Sequence, residues 1–203
     1  VASIVEIASN ALRLLGAKPV TSLDDDSERA RQVNAFWPNC RDATLRAYPW
    51  KFASTRAALG QLAAGPLWEY AYAYQLPTSP WCLRVLRTNL DDVKVPWTLE
   101  ADRTLVTDAT SVSIKYTARI TDPGSYDASF ESAVTARLAC DLAYPVAANR
   151  GLAQDMWQLY RFKMQEARFL DSGEASPTGI VSDDLITARL SGGTAFLPIR
   201  VIS

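Results

Sequence analysis

Chemistry in this chain could first be sought at three clusters of adjacent carboxylates: Asp24, Asp25 and Asp26; Asp91-Asp92; and Asp183-Asp184. A run of acids ahead of Glu28 invites a divalent cation, and a pair of acids invites proton transfer. The spacing argues against both. The first cluster lacks the alternating ligands of a calcium loop and the distal glutamate that completes one. Acid–base work needs two groups in unlike environments across a cleft, which neighbours in a turn do not supply. An acidic helix N-terminus, favoured by the helix dipole, is the expected role of the first cluster, and solvated turns that of the others.

Other reactive groups are scarce. There is no histidine, which removes the commonest general base and most zinc sites. Cys40, Cys82 and Cys140 are odd in number and far apart, so they fit neither a metal spacing nor a disulfide framework and read as buried free thiols. A reducing site of synthesis is consistent with them. No phosphate-cradling glycine loop, dinucleotide fingerprint or nucleophile elbow is present, and Ser191-Gly192-Gly193 reads as a flexible link. Tyr70, Tyr72 and Tyr74 alternate and could form a stacking platform for bases or sugars. With only Arg84 and Arg87 nearby, sheet core or subunit contact is their expected role. Arg161, Lys163 and Arg168 are interleaved with Asp155, Glu166 and Asp171, the pattern of a salt-bridged helix face rather than a nucleic-acid patch. The net charge of −1 gives no global field toward nucleic acid or an anionic membrane. The reading is of a non-enzyme, with no catalytic residue, metal site or cofactor.

The elements follow from periodicity. Ser3 caps a first helix with Glu6 at capping-box spacing, and Ile4, Ile7, Ala8, Ala11, Leu12, Leu14 and Leu15 form its apolar face. Gly16 closes it and Pro19 bars its continuation. A second helix is expected from Ser27 to Ala47, kinked or broken at Pro38. Tyr48-Pro49 marks its end. Trp50, Phe52 and Ser54 then fall on one face of a following strand, with Lys51 and Ala53 on the other. An aromatic pair there anchors the helical part to the β part. Strands are expected near 50–59, 68–76, 81–88, 93–100, 103–107 and 112–118, at a spacing of ~10 residues that suggests an antiparallel meander. A third helix is expected over 128–144, ended by Pro145. A fourth runs from 149 to 170, with Leu152, Met156, Leu159, Tyr160, Met164, Ala167 and Leu170 facing inward.

No apolar run reaches the ~18 residues of a membrane span, and VASIVEIASNAL, with Glu6 and no basic start, is not expected to be a secretory signal. Residues 171–203 carry little periodicity but include Leu185, Ile186, Phe196, Leu197 and Ile199, a partner-binding tail. The organisation expected is α+β. Helices from both ends (1–49 and 125–170) form a bundle, an antiparallel β domain (50–124) is inserted between them, and an extended tail (171–203) follows.

The order ALRLLGAKPV, acidic linker, RDATLRAYPWKFA, β block, two helices and loose tail resembles the tail tubular protein A family, the head-to-tail adaptors of short-tailed bacteriophages. The likeness spans residues 1–170 and is clearest at Leu14–Val20 and Arg41–Ala53. It implies a virion structural protein at the head–tail junction, made in the host cytoplasm. It also implies a homo-oligomeric ring, commonly twelve-fold, between portal protein and tail nozzle protein. DNA passes through the lumen of such a ring without sequence-specific binding. In this reading Gly16, Pro19, Pro49, Trp50 and Phe52 are architectural. The readings set against it are a tail-associated glycan hydrolase using carboxylates, a small nucleic-acid-binding module using the tyrosine strand, and a non-phage oligomeric scaffold.

Overall fold

In the computed structural model, which describes residues 3–91 and 93–174, the chain is α+β. Four helices, α1 (Ile4–Leu14), α2 (Glu28–Arg46), α3 (Ala128–Ala147) and α4 (Arg150–Gly173), flank seven strands. The strands are β1 (Ser54–Ala58), β2 (Gly60–Gln61), β3 (Tyr72–Gln75), β4 (Cys82–Thr88), β5 (Trp97–Glu100), β6 (Thr104–Thr107) and β7 (Ser113–Ala118).

The ends of α1 are built as its sequence dictates. The Ser3 hydroxyl accepts the Glu6 N–H at 3.1 Å. At the other end Gly16 has φ 71°, the left-handed conformation that glycine adopts without a Cβ penalty. There the Gly16 N–H donates to the Arg13 carbonyl and the Ala17 N–H to the Leu12 carbonyl, a complete Schellman closure. Beyond Pro19 the Ser9 hydroxyl donates to the Val20 carbonyl at 2.8 Å and fixes the returning chain against the helix.

α2 is not broken at Pro38, one of the two outcomes expected there, and α3 is not ended by Pro145. α2 runs unbroken through Pro38. Val33, Trp37, Cys40 and Leu45 are buried on both sides of it, and their burial outweighs one lost backbone bond. α3 continues past Pro145 to Ala147 and ends at Ala148, whose φ of 50° is left-handed. A proline in the last turn removes a single N–H, and Leu138, Leu142 and Ala143, fully buried, hold the preceding turns.

The β part is not a meander. β1-β7-β4 form one antiparallel sheet and β2-β3-β6-β5 a second; only β2-β3 and β5-β6 pair as sequence neighbours, and the chain otherwise switches sheet from strand to strand or skips a neighbour. Inward-facing Val112, Ile114 and Tyr116 alternate with Ser113 and Lys115, the period of two expected of a half-buried strand. They share a core with Tyr74, Leu76 and Leu105 of the second sheet. The alternation from Trp68 to Tyr74 is not one strand. Only Tyr72–Gln75 pairs, and Glu69, at φ 74°, turns the chain out of extended geometry beforehand.

A separate helical core contains Ile7, Leu12, Val33, Trp37, Leu45, Phe130, Leu138 and Leu142. It also takes in Trp50 and Ala53, beyond the proline at 49.

Candidate interaction surface

The stretch from Tyr48 to Ser54 makes a tight turn rather than the start of a strand. The Ala53 N–H donates to the Trp50 carbonyl at 3.2 Å, and the Ser54 hydroxyl to the same carbonyl at 2.8 Å. The turn arises because Trp50 sinks wholly into the helical core, where its indole N–H donates to the Thr44 carbonyl at 3.1 Å. The Trp50 and Phe130 rings meet edge-to-face with centroids 5.1 Å apart; Phe52, half-buried, lies 5.0 Å from Phe130 and 6.0 Å from Tyr126. The expectation that Trp50 and Phe52 share a pleated face fails. Ala53, placed opposite them, is itself core, and both rings reach one aromatic cluster through a turn. Burial pushes the Tyr126 hydroxyl up to about 12. Gly16, Pro19 and Pro49 act on the chain path alone. Leu185, Ile186, Phe196, Leu197 and Ile199 lie outside the described residues.

The expected carboxylate roles resolve individually. Asp25 accepts from the Thr21 hydroxyl and the Ser22 N–H, and Asp26 pairs with Arg31, all exposed. Asp91 accepts from the Thr88 N–H and hydroxyl and from the Trp97 indole N–H. The Thr88 N–H in particular holds its carboxyl below the usual range. Asp183-Asp184 lie outside the described residues. Among the described residues no group of three or more Cys, Asp or Glu is placed to hold a metal ion. Cys40 and Cys82 are buried, whereas Cys140 is only half-buried, with its Sγ toward the Ala153 carbonyl. Tyr74 is core, its hydroxyl donating to the Ala109 carbonyl at 2.7 Å, and Tyr72 packs beside it, so these two rings are no open stacking platform.

α4 departs most from expectation. It buries one narrow stripe, Tyr160, Met164, Ala167 and Asp171. Asp171, expected to balance a cation on its own helix, instead accepts the Lys51 N–H at 2.9 Å, while the Lys51 ammonium donates to the Asp171 carbonyl. Arg168 lies over the Tyr48 ring, and only Lys163 pairs on the helix, with Glu166 at 2.9 Å. The helix is thus tied to the aromatic turn rather than laced to itself. Its outer surface is solvated by Asp155, Gln158, Arg161, Gln165 and Glu166, and among them two phenylalanines stand out: Phe162 is 62% and Phe169 78% exposed. Seven residues and about two turns apart, they lie in line on the face opposite the buried stripe. Leu170, expected to face inward, is also exposed, as is Trp157 in part. A second exposed apolar pair, Leu67 and Trp68, caps the loop between β2 and β3. The signal for Phe162 and Phe169 was present in the helical wheel, as large apolar residues outside the inward stripe.

This arrangement suits association: a helix tied through Arg168 and Asp171 to the aromatic turn presents aromatic rings to solvent. Exposed aromatic side chains at fixed helical spacing are the anchors that protein interfaces use. Compared with protein-family models and with curated proteins, the chain matches no family model and no curated protein. No helix among the described residues is long and apolar enough to cross a membrane.

Proposed function

We propose that the chain is a structural assembly subunit of the head-to-tail adaptor kind, forming a ring between portal protein and tail nozzle in a short-tailed phage virion. The observation that carries this reading is the outer face of α4, where Phe162 and Phe169 stand uncovered on a helix fixed from behind by Lys51–Asp171. A subunit that repeats about a ring axis needs such a face, because it meets a different surface of its neighbour and the contact propagates until the ring closes. The order of segments, with a β block between two helical halves, supports the same reading. In this reading DNA passes through the lumen without sequence-specific recognition, and the segment beyond 174 is available to the portal.

Analytical ultracentrifugation and negative-stain microscopy of the chain, alone and with a portal protein, test the proposal. The expected result is a ring, formed by the chain itself or on the portal, that Phe162→Ser/Phe169→Ser abolishes. A wild-type chain that stays monomeric in both conditions overturns it, as does a double variant that assembles normally.

A further inference from the structure

Arg56, Arg87 and Lys115 are scattered in sequence, but strand pairing sets them in a row. β1 and β4 flank β7, Arg56 pairs with Lys115 across one ladder, and Arg87 pairs with Lys115 across the other. Directly paired residues of antiparallel strands project from the same face, so three cations stand abreast on one side of the sheet. All three are exposed. With strands about 4.8 Å apart, the row is about 10 Å wide. Like charges placed directly opposite destabilise a sheet, so strand pairing alone gives no reason to set Lys115 beside Arg56. Arg87 also feels the Asp91 carboxylate, whereas Arg56 and Lys115 form no ion pair among the described residues. The row borders an open depression of about 540 Å³ whose other walls include Thr88, Asn89 and Ser113.

We infer that this sheet face binds the phosphodiester backbone of duplex nucleic acid without regard to sequence. Cations flanked by hydroxyl and amide groups are the side chains that contact phosphates. Phosphates of one strand advance ~3.4 Å per nucleotide along the duplex axis, so a row about 10 Å wide, set parallel to that axis, spans about three of them. An acidic protein surface fits less well: interface cores need apolar anchors, and the depression is rimmed by Ala57, Ala58 and polar groups. A single strand would want aromatic rings to stack on, and none lines this face. Three contacts give weak, salt-sensitive attachment, which lets a duplex slide. The inference stands on the sheet alone, so a chain that forms no ring is still expected to bind.

The test titrates the full chain into a fluorescent duplex of about 20 base pairs and arbitrary sequence, over roughly 20–200 mM salt, reading anisotropy. Binding is expected to weaken with salt at a log–log slope of about −2.7, for three phosphates neutralised. Arg56→Glu/Lys115→Glu is expected to weaken binding at least about tenfold and cut the slope to about −0.9. Arg56→Gln/Lys115→Gln, which removes charge without adding any, is expected to do the same to the slope at unchanged melting temperature. Arg29→Glu/Arg161→Glu, with the same net charge change on exposed helical sites, is expected to bind like wild type. Absence of wild-type binding at low salt, equal loss in the helical control, or tighter binding of polyglutamate or single-stranded DNA than of duplex would each overturn the inference.

Discussion

Trp50→Ala tests the reading that the turn after α2 is set by core burial. The indole is fully buried against Tyr48, Phe52 and Phe130, with centroids 5.0, 6.2 and 5.1 Å away. Truncating a buried tryptophan to alanine typically costs about 3–5 kcal/mol, from lost transfer free energy and the cavity left behind. The lost bond to the Thr44 carbonyl adds less, about 1 kcal/mol at most, because that carbonyl also accepts the Ala47 N–H. The sum is a large share of the roughly 5–15 kcal/mol that stabilises a typical domain. At this length each kcal/mol moves the melting temperature by about 2–4 °C, so a drop of about 6–20 °C is expected. Trp68→Ala is the internal control. That ring is 78% exposed, and its removal is expected to cost no more than about 0.5 kcal/mol. Urea unfolding followed by circular dichroism measures both. Equal effects at the two tryptophans, or a loss below about 1 kcal/mol at Trp50, would refute the burial argument.

Asp171→Ala removes the acceptor for the Lys51 N–H and should destabilise by about 1.5–3 kcal/mol, with faster hydrogen exchange at the Lys51 amide; unchanged exchange would dissociate α4 from the turn. Ala148→Gly relieves the left-handed backbone that ends α3 and should raise stability by about 0.5–1 kcal/mol in denaturant melts. Asp127 caps α3, and the Ser129 hydroxyl, first among its hydrogen bonds, holds its carboxyl below the usual range. Its contribution is therefore full above the unfolded value of about 3.9 and lost as pH falls through the lower folded value, so Asp127→Asn should flatten the stability profile there. Burial drives the Cys40 thiol far above the ordinary range, so a thiol reagent near neutral pH should leave Cys40 unmodified until the chain unfolds.

What could be read from the sequence was whatever depends on near neighbours. The Ser3 cap, the Gly16 closure and the strand at Ser113–Ala118 are set by residues within a few positions, and all appear where periodicity puts them. The end expected at Pro145 and the break offered as one outcome at Pro38 do not occur because propensity is local while burial is not: residues in the flanking turns are buried. The meander failed for a related reason, since strand spacing limits loop lengths but not which sheet each strand joins. Trp50 and Phe52 were identified as an anchor, but the turn that delivers them depends on partners as distant in sequence as Phe130 of α3. The exposed rings on α4 were visible as residues, and their exposure was not, because it depends on how few neighbours that helix has. Arg56, Arg87 and Lys115 could not be grouped without the strand register.

The chain enters the sheets at Ala53 and leaves them at Ala118, and at that seam the Ala118 N–H donates to the Ala53 carbonyl at 2.8 Å. Every buried member of the helical core lies before Ser54 or after Arg119, and every buried member of the sheet core lies between them. Entry and exit are thus adjacent, and the two cores share no fully buried side chain. A sequence laid out this way can be cut and rejoined at one place. Deleting the interval and bridging two ends already in contact would keep every buried member of the helical core and lose only the partly buried Leu83 packed against it, and a different β segment could be spliced in at the same seam. Selection can therefore rewrite what the sheets present, including their row of cations, while the bundle that carries them is inherited unchanged.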